Sequence, residues 1–186
     1  MRWEPVFDDL EGEFAHGLAR EEAALAAEEE RLRFARLELA ERLTGLLGAE
    51  VELQLRDGGA LRLRLESVGR DWIAGRAAHG ALESALVPVP AVVGLVAEAS
   101  ALEPAAAPAA SGLERRLGIA VALRDLTRRR APVELLTDRS RLRGTIDRVA
   151  RDHLDLAEHE LDEPRRDAAV RRTRLVALAT LVCVRY

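Results

Sequence analysis

The six residues Val68-Gly69-Arg70-Asp71-Trp72-Ile73 return 81 positions later as Val149-Ala150-Arg151-Asp152-His153-Leu154. Their neighbours return as well. Val51-Glu52-Leu53 matches Val133-Glu134-Leu135, and Leu86-Val87-Pro88-Val89 matches Leu175-Val176-Ala177-Leu178, now 89 apart. A repeat of this kind constrains the fold strongly, because each copy must be one supersecondary unit built to the same plan. The offset grows from 81 to 89 within one loop, where extra length is tolerated. A chain of 186 residues is long enough for two such units.

Within each copy the polar/apolar pattern has period two, the signature of half-buried strands. Val51, Leu53 and Leu55 alternate with charged or amide residues, Asp57-Gly58-Gly59 is a hairpin turn, and Leu61, Leu63 and Leu65 resume the alternation. Gly69-Arg70-Asp71 turns the chain into a third strand at Trp72-Ile73, and Ala85 to Val96 supplies one or two more. The second copy runs through Val133–Leu136, Leu142–Val149, His153–Leu156 and Leu175–Val184, with a polar loop from Glu158 to Asp167. Five short strands without crossover helices predict a small closed or half-closed barrel, since closure removes exposed edges.

Helices are expected ahead of each strand set. Residues 5 to about 47 are rich in Ala, Glu, Leu and Arg and hold no proline after Pro5, which predicts one long helix ended by Gly48. Leu18, Leu25, Leu32, Leu39 and Leu46 recur every seven residues, the spacing of a coiled-coil seam. The companion positions are Phe14, Glu21, Glu28, Ala35 and Arg42, and the two glutamates would repel in a parallel dimer. A self-associating helix and a helix docked on its own strands both remain open. An Ala/Pro linker spans 100–111, and Ser111 with Glu114 forms a capping box. A second helix is expected from Gly112 to Arg129, with Pro132 beyond its end. The chain thus divides into a long helix (1–48), a first strand unit (49–99), the linker (100–111), a second helix (112–131) and a second strand unit (132–186).

A helix followed by five bent antiparallel strands, with the second-strand pattern Gly144-Thr145-Ile146-Asp147-Arg148-Val149, resembles the Sm-like and broader SH3-like barrels. The resemblance implies a mainly β, α+β fold of two tandem five-stranded barrels, each preceded by a helix. The first copy has Leu63 in place of the glycine. Ala150-Arg151-Asp152-His153-Leu154 lacks the asparagine that Sm-like RNA binders carry between their second and third strands, and the Arg-Gly pair expected near the end of the fourth strand is missing from both copies. Uridine binding is therefore not implied. With its Met1-Arg2-Trp3-Glu4 start, the whole chain also resembles a group of uncharacterised actinobacterial proteins, some labelled Fis-family transcriptional regulators. Fis-type DNA binding needs a C-terminal helix-turn-helix, whereas Leu175 to Val184 reads as strand.

Charge and composition narrow the function. All 28 basic residues are arginine. Residues 1–48 hold 6 Arg against 12 acids, and residues 101–186 hold 17 Arg against 13, so the two ends carry opposite fields. Arg128, Arg129, Arg130, Arg139, Arg141 and Arg143 open the second copy, and Arg165, Arg166, Arg171, Arg172 and Arg174 flank its long loop. On one side they would form a basic patch for phosphates or an acidic protein surface. Few aromatics are present for base stacking. The sole cysteine, Cys183, lies in an apolar run and reads as a buried inert thiol. His153, Asp155 and His159 give no tight metal motif, and no phosphate loop or nucleophile elbow appears. No signal peptide or membrane span is expected.

These features predict a cytoplasmic, non-enzymatic interaction or scaffold protein with no cofactor, metal or small-molecule substrate. Its partner would be another copy of itself or another protein. The alternative is an RNA- or DNA-binding regulator using the second copy's arginines.

Overall fold

The computed structural model describes residues 4–79, 82–102, 116–162 and 170–186. The chain divides into two compact units, Met1–Glu38 and Leu39–Tyr186. The first is helix α1, Glu4–Ala35. The second holds ten strands with short helices around them, so the fold is mixed α+β.

The helix expected to reach about residue 47 is interrupted after Ala35, and a short helix α2 follows at Leu39–Thr44. No Gly or Pro stands at 36–38. The break comes where the exposed residues 16–35 give way to a segment whose Leu43 and Leu46 are buried, so packing overrides propensity. Gly48 adopts φ +85°, and its N–H donates to the Leu65 carbonyl, which starts the first strand.

The strands are β1 (Glu50–Leu55), β2 (Ala60–Val68), β3 (Trp72–Ala77), β4 (Ser84–Pro88) and β5 (Val92–Val96), then β6 (Pro132–Thr137), β7 (Arg141–Val149), β8 (His153–Glu158), β9 (Arg172–Ala177) and β10 (Leu181–Arg185). A one-turn helix α3 covers Ala99–Leu102, and α4 runs from Ile119 to Arg129. The capping box at Ser111 and Glu114 lies outside the described residues. Arg128 and Arg129 complement the C-terminal dipole of α4, and Arg130, at φ 50°, closes that end by donating to the Leu126 and Thr127 carbonyls.

All ten strands form one antiparallel sheet in the order β5-β1-β2-β3-β4-β10-β6-β7-β8-β9. The order repeats after five strands. The irregularities repeat too. β2–β3 shifts register between Leu65 and Ser67, and β7–β8 between Ile146 and Arg148. The β1–β5 and β6–β10 pairs each slip at one place, leaving out Val93 and Val182. A single turn of 3-10 helix precedes both β5 and β10. Bulges placed alike in two sequences of different composition point to one inherited backbone plan.

The sequence predicts two tandem barrels, each closed or half-closed, and the structure shows one open sheet instead. β10 pairs with β6 on one side and with β4 on the other, which fuses the halves into a continuous sheet. The sheet does not close, and β5 and β9 are its two ends. The cores interlock at the join. Val182 and Cys183 of β10 pack in the first core with Leu53, Leu63 and Ile73, while Trp72, Ala74 and Leu86 pack in the second with Leu123, Leu135 and Leu156.

Six further hydrogen bonds link the halves. The Asp71 carboxylate accepts from the Ile119 N–H (2.7 Å), fixing the start of α4. Trp72 Nε1 and the Arg70 N–H both donate to the Leu117 carbonyl. Arg56 donates to Asp138 (2.6 Å) and to the Ala179 and Leu181 carbonyls.

Candidate functional site

Of the two arginine clusters, Arg141 and Arg143 from the first and Arg171 and Arg172 from the second come together around β7 and the start of β9. Arg143 stands opposite Glu134 across β6–β7, and Arg172 opposite Glu158 across β8–β9. Cross-strand neighbours of opposite charge pair readily. Glu134 is buried and takes Arg143 Nε at 3.1 Å and Arg141 Nε at 3.9 Å. Glu158 takes Arg172 and Arg174. Arg171 pairs with Glu160 at 3.2 Å. On α4, Arg128 and Arg129 share Asp125. Seven arginines thus rest on four carboxylates, leaving a surplus of positive charge on guanidinium groups that stay exposed.

Arg139 lies in the β6–β7 turn, where its N–H donates to Thr137 Oγ1. Arg165 and Arg166 lie outside the described residues. An open depression of about 650 Å³ is lined by Arg141, Arg143, Arg171 and Arg172 together with Glu158 and Glu160. It joins one pair from each sequence cluster. Desolvation pushes the Glu158 carboxyl upward, but the Arg174 and Arg172 hydrogen bonds and charges outweigh it and hold the group below the usual range. The Arg128 hydrogen bond, against some desolvation, likewise lowers Asp125.

The histidine beneath this depression was not legible in the sequence. His159 is buried, with Nδ1 2.7 Å from the Glu160 carbonyl and Nε2 2.8 Å from Thr145 Oγ1. A carbonyl only accepts, so Nδ1 carries the proton, and in the neutral ring Nε2 accepts from the Thr145 hydroxyl. Both nitrogens are occupied. His153 is different: it is half-exposed and bonds Asp152 at 2.7 Å. Among the described residues no three His, Cys, Asp or Glu gather around a common metal position.

Cys183 is buried at the join of the two halves, and desolvation pushes its thiol up to about 12. A thiol so shifted is not a nucleophile at neutral pH.

The leucines of the predicted seam separate. Leu18, Leu25 and Leu32 lie on α1 and are each more than half exposed. Leu39 falls in α2 and stays exposed, while Leu46 is 4 % exposed and belongs to the first core. A continuous five-leucine seam is therefore replaced by a three-leucine stripe. No described helix is long and apolar enough to cross a membrane. Neither a family model, nor a curated protein, nor a solved structure matches the chain.

Proposed function

We propose that the protein is a non-enzymatic interaction or scaffold protein of the cytosol, built from two tandem Sm-like or SH3-like barrel units whose edges join, and acting through protein contacts. The observation that carries this reading is the stripe Leu18, Leu25 and Leu32, left exposed on α1 between acidic residues. Exposed apolar stripes of this kind are contact surfaces. The chemistry of the core supports it. The one thiol is buried, and the buried histidine has both nitrogens engaged.

The test uses the full chain as bait in extract of its host, with and without nuclease. Proteins retained after nuclease, and lost when Leu18, Leu25 and Leu32 are all changed to Glu, are the expected result. Retention that nuclease abolishes would contradict it.

A second reading has its own observation. The surplus arginine around the 650 Å³ depression suits phosphate groups, so an RNA- or DNA-binding regulator acting through the second half is the alternative. Its test is a gel shift across a salt series. Binding that weakens steeply with salt supports it, and no shift at low salt removes it.

A further inference from the structure

The two open edges of the sheet are the counterparts of the two strands already joined at its centre. β4 and β10 meet in the middle, pairing Leu86 with Val184 and Ala85 with Arg185. By the repeat, β9 is the second-half equivalent of β4, and β5 is the first-half equivalent of β10. The chain therefore carries at its two ends one complete set of the surfaces it uses to hold its own halves together.

Burial at equivalent positions shows what those ends lack. Leu86, in the join, is 2 % exposed, and its counterpart Leu175 on β9 is 70 % exposed. Val182, in the join, is fully buried, and its counterpart Val93 on β5 is 71 % exposed. Val96 on the same strand is also exposed. β5 reads Val92-Val93-Gly94-Leu95-Val96, with no charge and no proline. Edge strands normally carry such blocking residues.

We infer that a second copy of this chain covers each edge, β5 of one copy adding to β9 of the next in the antiparallel register of the central join. Offsets of 89 translate the central pairs into Leu95 opposite Leu175 and Val96 opposite Arg174 of the neighbouring copy. The contact is heterologous, so successive copies add head to tail, into a ring if the rotation closes and a filament if it does not. Val93 takes in the neighbouring copy the place that Val182 holds at the join. The turn Arg151-Asp152-His153, counterpart of the Arg70-Asp71-Trp72 turn that grips Leu117 and Ile119, lies beside the same edge. The inference deepens the interaction reading above and rests on it, naming the chain itself as partner and the sheet edges, not α1, as the surface.

The test is molar mass in solution for the full chain and two single variants. Val93→Glu blocks β5 and Leu175→Glu blocks β9, and both positions are solvent-exposed in a lone chain, so each variant retains its far-UV circular dichroism. Wild type is expected to rise above one chain's mass with concentration, and each variant alone to stay at one. Mixed in equal amounts, the variants offer one intact β5 and one intact β9, and the mixture is expected to reach two chains and stop. Wild type at one chain's mass throughout, or a mixture that stays at one, overturns the inference while leaving partner capture through α1 untouched. Association lost on changing Leu18, Leu25 and Leu32 to Glu, but not on blocking either edge, also overturns it and leaves the interaction reading standing.

Discussion

Gly144 is the residue where sequence pattern and geometry meet most directly. It adopts φ +153°, and a Cβ there would lie 2.0 Å from the Ala157 carbonyl oxygen. The first half has Leu63 at the matching position and places its close approach at a neighbouring rung, where a Cβ on Gly75 of the opposite strand would lie 2.1 Å from the Arg64 carbonyl oxygen. The close approach of second and third strands is thus kept in both halves, with the glycine moved across the ladder. Gly144→Ala should destabilise by more than about 1 kcal/mol in denaturant unfolding, because side chain and backbone both conflict. Thr145→Val should cost about 1–3 kcal/mol, since it leaves the buried Nε2 of His159 without its donor. Cys183 sets a pH dependence. Its folded pKa lies above the unfolded value near 9, so the stability it adds is complete below pH 9 and is lost as pH rises toward 12. Cys183→Val should flatten the alkaline fall in stability over that window, read from unfolding midpoints at stepped pH.

At the scale of elements, the strands were legible because alternation and turn chemistry coincide. Val51, Leu53 and Leu55 are buried on β1, Leu61, Leu63 and Leu65 on β2, and Gly58 takes φ +84° in the turn between them. What the pattern lacked was the partner of each strand. β10 is a run of apolar residues whether it ends one barrel or joins two, so its pairing with β4 could not be foreseen from Leu181–Val184. The break at 36–38 was equally hidden, because Arg36, Leu37 and Glu38 are all good helix formers and the residues whose burial follows the break, Leu43 and Leu46, lie beyond it. The arginine clusters were visible, but their partners were not. Glu134 and Glu158 sit on the neighbouring strands and meet them through strand register, which the spacing alone does not fix. The contact of Asp71 with α4 is of the same kind. Asp71→Ala should cost about 1 kcal/mol, as loss of a helix N-terminal cap does, while Asp71→Asn should retain most of it.

At the scale of the molecule, duplication has produced a sheet whose centre is a template for its ends. The central join buries Leu86, Val182 and Val184 and is clamped by Arg56 through Asp138. The ends leave Val93 and Leu175 in solvent. The halves share a backbone plan but differ in charge, with the surplus arginine gathered on the second. Continuation of the sheet from copy to copy is read by hydrogen exchange across a concentration series of the full chain. The amides of β5 and β9 are expected to gain protection as concentration rises, toward that of Ser84 and Tyr186, which already exchange backbone hydrogen bonds at the join. Edge amides that exchange rapidly at every concentration, beside a protected join, would contradict it.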